Sequence, residues 1–282
     1  EIPEHSTITF SRIPVDSEGS LLLHKLSQLV RHNTRAIIMT HASNVCGTLM
    51  PIAEVGEFCH KHGLKFIVDT AQTAGLFPID MQAMHIDALA FTGHKGLLGP
   101  QGIGGFILRE SMIDSVRPLL AGGTGSLSNL EQMPAFMPDK FEAGTLNLPG
   151  IIGLGAGVRW LQKKGIDKLR QHEMKLTQKL LQGLKNQETA KRLHIVGKRD
   201  CDRRTGVISI TTEACDLAVV AHTLAEHYGV ATRVGLHCAP AAHKALGTYP
   251  TGTLRFSLGW SNTEQDIKKA LQALSAILRI KL

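Results

Sequence analysis

At 282 residues, with 43% apolar and 20% charged side chains, the chain reads as an ordinary globule with room for about two domains, or one large α/β domain with an appendage. The net charge of +7 and pI near 9.2 raise nucleic acid as a partner, but the basic residues are scattered among acidic ones, with no basic block or aromatic-interleaved patch, so nucleic acid is set aside. A modest positive field suits an anionic cofactor and a substrate carboxylate instead.

In chain order, RAIIMTH (35 to 41) reads as a strand, followed by a helix opened by Pro51 and stopped near Gly63. KFIVD and ALAFTG are two further strands, and AGGTGSLSN (121 to 129) is a Gly-rich stretch expected to be a mobile loop. From about residue 150 the pattern turns helical, through IIGLGAGVRWLQKKG and DKLRQHEMKLTQKLLQGLKNQ. VISI, a helix near 214 to 228, the strand TLRFSLG and a helix after Asn262-Thr263 complete the chain. Strand, helix, strand at this spacing predicts the α/β class: a mainly parallel sheet flanked by helices over 1–150, then a connecting helix and a smaller C-terminal α+β domain over 151–282. Ligands of such sheets sit beyond the carboxyl ends of the strands, where Asn44, Asp69 and Lys95 fall.

Five cysteines, Cys46, Cys59, Cys201, Cys215 and Cys238, show no CxxC or CxxH spacing, so no metal site is expected. Reduced thiols imply a cytoplasmic setting. No apolar run approaches a membrane span and no signal-peptide pattern opens the sequence, so no membrane partner is expected.

Lys95 and Asp69 carry the most chemistry. Pyridoxal phosphate enzymes need a lysine amine to hold the aldehyde as a Schiff base and an acid to keep the pyridine nitrogen protonated. Partial burial beside a cationic ring would lower the lysine's pKa in the direction that frees its amine. Taken singly, an Asp after an apolar run is usually a strand terminus or a cap, and a Lys there is usually solvated. Asn44 can bond its own backbone, Gln72 can cap the segment after KFIVD, Thr145 beside Gly144 can be a plain turn, and Arg255 can be a solvent-side strand charge.

The ordered set THASNVCGTLMPI, VDTAQTAGLFPID, FTGHKGLLGPQGIGG, FEAGTLN and RVGLHCAP resembles the cysteine desulfurase group of the class V aminotransferase family, fold type I pyridoxal phosphate enzymes. The resemblance implies that Asn44 and Gln72 bond the cofactor's ring oxygen, Asp69 its pyridine nitrogen and Lys95 its aldehyde, while Thr92 and His94 contact the phosphate. It implies that Thr145 reaches into a neighbouring subunit's phosphate site, making the protein a homodimer. Arg255 resembles the guanidinium that grips the substrate carboxylate, with Arg233 nearby. Cys238 resembles the sulfur acceptor, on a stretch that reads as an exposed loop where Arg233 and His237 favour the thiolate. Lys95, Cys238 and His94 then form the catalytic set. The implied reaction converts L-cysteine to L-alanine, leaving a persulfide on Cys238 for a sulfur-acceptor protein and iron-sulfur or other cofactor assembly.

Two departures from the family pattern stand out. The chain opens on EIPEHSTITFSRIPVD, without the family's N-terminal stretch that carries a phosphate loop and a ring-stacking residue, and His5 lies too close to IPVD to replace the latter. Leu236 stands where sulfur-mobilising relatives often have a second histidine. Two alternatives therefore stay open beside the desulfurase: a selenocysteine lyase or class V aminotransferase, and a truncated, catalytically silent protein that binds a partner.

Overall fold

The structure, a computed structural model, describes residues 7–127 and 129–279; His5, and Ser128 of the Gly-rich stretch, lie outside the described residues. In chain order the helices and strands are α1 (Leu26–Leu29), β1 (Ala36–Thr40), α2 (Ile52–Lys61), β2 (Lys65–Asp69), β3 (Ala88–Thr92), β4 (Gly104–Leu108), α3 (Glu110–Ile113), α4 (Leu148–Lys164), α5 (Ile166–Thr189), β5 (His194–Val196), β6 (Val207–Thr211), α6 (Leu217–Tyr228), β7 (Arg233–Gly235), α7 (Pro240–Ala245), β8 (Thr253–Ser257) and α8 (Glu264–Ile277). They form two compact units, one of residues 35–41 and 52–169, the other of 1–34, 42–51 and 170–282.

The first, the parallel-sheet unit, holds a four-stranded sheet in the order β1-β2-β3-β4. The first three strands run parallel, and β4 closes the sheet antiparallel to β3. Helix α2 buries Ile52, Val55, Gly56 and Cys59, the one-sided spacing of an amphipathic helix, and packs on β2, where Phe66 and Val68 are fully buried. The opposite face of the sheet is less covered. Ile38, Ile67 and Ala88 share that face by register, as do Ala90 and Phe106, and Ile38 is 72% exposed and Phe106 47%.

The second, the antiparallel-sheet unit, has the order β5-β6-β8-β7. Strict alternation sends Ile208, Ile210, Leu254 and Phe256 into one core with Leu176, Leu180 and Leu184 of α5, Leu217, Val220 and Leu224 of α6, and Ile267, Leu274 and Ile277 of α8. The helix ends follow sequence signals. Asp216 caps α6 by accepting from Ala218 N, Gly229 ends it at φ 58°, and Thr263 with Asp266 forms a capping box on α8. Arg204 is 1% exposed, and its guanidinium donates to the carbonyls of Lys198, Asp200, Cys46, Thr205 and Val207, knitting 42–51 to 198–207.

β4, β5 and α7 carry no strong sequence signal. β4 (GGFIL) is masked by the glycines before it, and β5 is only three residues long. RVGLHCAP is not a loop throughout, because Arg233–Gly235 pairs with β8 as β7 before the chain turns.

Candidate active site

The register of the parallel-sheet unit aligns Thr40, Asp69 and Ala90, so β1 and β2 end level while β3 runs on to Thr92. Just beyond them, the turn after β2 carries Gln72 and the turn after β3 carries His94 and Lys95. Backbone contact joins these two turns. Gly75 sits at φ 83° with its missing Cβ only 2.5 Å from Gly96 O, and a Cβ on Gly96 would meet Ala74 O at 2.5 Å. Any side chain at either position would force apart the segments bearing Gln72 and Lys95. Asp69 Oδ1 accepts from Ala71 N at 2.8 Å, and Thr92 Oγ1 pairs with His94 Nδ1 at 2.8 Å.

Asp69, His94 and Lys95 are exposed, while Gln72 and Thr92 are half-buried. Lys95 stands on the turn that follows β3. Thr145 is also exposed, between Gly144 at φ 78° and Asn147. Asn147 caps α4 and bonds Gly102 O at 3.2 Å, tying that turn to the segment before β4.

His41 was not singled out by its sequence setting. It is 7% exposed, its Nδ1 lies 2.9 Å from Thr73 Oγ1 within the Gln72 turn, and its ring meets Phe77 edge-on. Burial lowers its pKa to about 4, so it is a neutral brace. The signal available was its place at the end of an apolar strand.

In the antiparallel-sheet unit a second group assembles. Arg233 and Arg255 face each other in register across β7 and β8, an arrangement of like charges that disfavours the sheet unless an anion or other acceptors lie between them. Arg255 Nη1 donates to Asn44 O at 3.0 Å, and its buried Nε has no hydrogen-bond partner in the protein. Burial, then the charge of Arg233, pushes the Arg255 pKa below its ordinary value. Arg233 Nη2 lies 3.7 Å from Cys238 Sγ, and Cys238 is exposed in the turn after β7 at φ 61°. Asn44 Nδ2 donates to His237 O at 2.7 Å, so the structure brings Asn44 into the Cys238 and Arg255 group.

One expectation is overturned. His237 does not supply positive charge to Cys238. Its ring is 3% exposed and bonded to Thr253 Oγ1 at 3.0 Å, and burial, then Arg255, lowers its pKa to about 4. Arg233 is left as the neighbouring charge.

Two strand-end turns bearing an acid, an amine, an amide, a hydroxyl and an imidazole define a fold-type and site that the comparisons with known proteins bear on directly. The chain belongs to the aminotransferase class-V family, which it matches over residues 1–270. It is 34% identical over 268 residues to a probable cysteine desulfurase of Methanothermobacter thermautotrophicus and 35% identical over 273 residues to a cysteine desulfurase of Escherichia coli, alignments that cover 94% and 95% of this chain. The apo structure of a cysteine desulfurase from Thermococcus onnurineus superposes with a TM-score of 0.87 at 32% identity, over 95% of this chain and 66% of that one. The fold is thus that of the fold type I pyridoxal phosphate enzymes. The chain spans 66% and 64% of the length of the two curated relatives.

Pyridoxal phosphate is the family's cofactor, and the residues of the parallel-sheet unit fit it. The Gly75 and Gly96 approach holds the two loops that carry Asp69, Gln72 and Lys95, and the Thr92 and His94 pair offers a hydroxyl and an imidazole for an anionic group.

Proposed function

We propose that the chain carries the catalytic groups of a cysteine desulfurase, and that Cys238 accepts the sulfur. The observation that carries this reading is the exposed Cys238 Sγ at 3.7 Å from Arg233, which faces in register an Arg255 whose Nε lacks a partner. A buried guanidinium with an unpartnered donor fits a carboxylate, and a thiol beside a guanidinium fits a sulfur nucleophile. Relatives named cysteine desulfurase support it.

In this reading Lys95 holds the cofactor's aldehyde carbon, Asp69 its ring nitrogen, Asn44 and Gln72 its ring oxygen, and Thr92 and His94 its phosphate. When bound, pyridoxal phosphate supplies a sink for the electron pair released at the substrate's α-carbon. Arg255, with Arg233, orients the carboxylate of L-cysteine. Lys95 Nζ takes the α-proton, and its exposure leaves the amine room to move between tasks. Cys238 Sγ then attacks the substrate's sulfur. A sulfur-sulfur bond forms, the substrate's carbon-sulfur bond breaks with its electrons left on carbon, and that carbon takes up a proton and leaves as L-alanine. His94 completes the catalytic set beside Lys95 and Cys238.

The division into a cofactor-binding part over 1–150 and a connecting helix with a smaller part over 151–282 belongs to the same reading. So does a homodimer in which Thr145 serves the second subunit's phosphate site. Leu119, 98% exposed, with Leu120 and Ile152 gives the parallel-sheet unit apolar surface for a second copy. A cytoplasmic enzyme passing its persulfide to an acceptor protein for iron-sulfur assembly is the setting we infer.

The test is to supply pyridoxal phosphate and L-cysteine, measure alanine, and map the added sulfur atom by mass spectrometry. Alanine release with the persulfide on Cys238 is expected, and Cys238→Ala should lose both while keeping its fold. Alanine release at the parent rate from Cys238→Ala would sink the nucleophile assignment. Release of selenium from selenocysteine, with cysteine left untouched, would replace the desulfurase by a lyase.

A further inference from the structure

We propose that the pocket at the amino ends of β2 and β3, the ends opposite Asp69 and Thr92, binds a small oxyanion of the phosphate class. Lys65 opens β2, Asp87 precedes β3, and Arg109 follows the antiparallel β4, so the sheet brings all three to one edge. The last turn of α2 adds Cys59 and His60, and His85 and Ser111 complete the lining.

With Lys65 paired to Asp87 and Glu57 held on the His85 ring, the positive charge left over in the lining is that of Arg109, and it favours an anion. Lys65 and Arg109 are cationic, and Asp87 is the one acid that lines it. That carboxylate is already occupied. Its Oδ2 accepts from Phe66 N at 2.9 Å and its Oδ1 pairs with Lys65 Nζ at 3.5 Å. Arg109 places one Nη2 on Met81 O at 3.3 Å, which leaves most of a five-donor fork for another acceptor. Cys59 adds no negative charge, since burial and then Asp87 push its thiol up to about 12. A cation is disfavoured, and no group of three or more His, Cys, Asp or Glu among the described residues can hold a metal ion.

The imidazoles are held in place. His60 and His85 stack with centroids 4.3 Å apart and planes 7° from parallel, and His85 Nε2 lies 3.2 Å from Glu57 Oε2. His85 adopts φ 50°, a backbone conformation costly for a residue with a side chain. Two aligned rings, a lysine, an arginine fork and the Ser111 hydroxyl make a set of donors suited to several oxygens of one tetrahedral anion. Nothing in the desulfurase reading uses these residues.

The experiment titrates inorganic phosphate into the intact chain at constant pH, with potassium chloride holding ionic strength, and follows the His60 and His85 ring signals by NMR. His60→Gln and His85→Gln assign the signals. Saturable shifts of both rings are expected, and Lys65→Gln or Arg109→Gln should weaken binding roughly tenfold or more. Arg109→Lys, which keeps the charge but not the fork, covers the case in which Arg109→Gln fails to fold, and should also weaken binding. Methyl phosphate binding as well as phosphate would support the site and show that it accepts an ester. Shifts no larger than those chloride produces, or equal affinity in folded Lys65→Gln and Arg109→Lys, would overturn the proposal.

Discussion

The two units hold their chemical groups in different ways. In the antiparallel-sheet unit Asn44, Arg255, Arg233 and Cys238 are linked by hydrogen bonds to one another or to nearby backbone, over a core closed by three helices. In the parallel-sheet unit Asp69, His94, Lys95 and Thr145 stand exposed on turns, and one sheet face leaves Ile38 72% exposed. Parallel sheets normally have both faces covered. The antiparallel-sheet unit therefore ties its groups together by bonds between distant segments, whereas the parallel-sheet unit holds Asp69 and His94 by bonds within their own turns.

The contrast is broken most strongly by removing what makes the closed unit rigid. Arg204→Met would leave several buried carbonyls without their donor, and we expect a loss of roughly 3–5 kcal/mol in urea unfolding, centred on the antiparallel-sheet unit. A loss below about 1 kcal/mol would show that the clamp contributes little.

Acid should act on the other unit first. His41, lowered to about 4 by burial, stays neutral in the fold, while the unfolded chain takes up a proton below its ordinary 6.5. The parallel-sheet unit therefore loses stability as the pH falls from 6.5 toward 4, by up to on the order of 3 kcal/mol. His237 acts in the same sense in the antiparallel-sheet unit, but Glu173 opposes it there. Burial raises that carboxyl from 4.5 to about 7, so its contribution is present below 4.5 and is lost as the pH rises to 7. Between 4.5 and 6.5 Glu173 offsets part of the loss from His237 and from His243, whose pKa burial also lowers. Hydrogen exchange at falling pH should open the parallel-sheet unit before its neighbour, and His41→Gln should flatten the dependence.

Gly75→Ala is expected to cost about 2 kcal/mol or more, from its positive φ and the clash with Gly96 O, and to separate the Gln72 and Lys95 turns. Thermal unfolding and the NMR signals of both turns would report it. The smallest effect is that of Ile38→Lys. It should change stability by less than about 0.5 kcal/mol while reducing binding of an apolar dye, because the side chain is solvent-facing.

The sequence made much of this legible where the physics is local. Alternating apolar runs and capping residues mark β1, β2, β3, α2, α6 and α8, and the strand ends locate Asp69 and Lys95. What escaped depends on distant contacts. The neutral state of His237 comes from burial and then from the charge of Arg255, and the bond from Asn44 to His237 O spans 193 residues of chain, so neither shows in a window of sequence.

The most direct test of the account adds pyridoxal phosphate to the purified chain and to its Lys95→Ala variant, records the visible spectrum, and treats both with borohydride. The parent should show an absorption band that borohydride abolishes, with the reduced adduct mapped to Lys95, and the variant should show neither. A parent without such a band, or an adduct on another lysine, would contradict the claim that this amine anchors the cofactor.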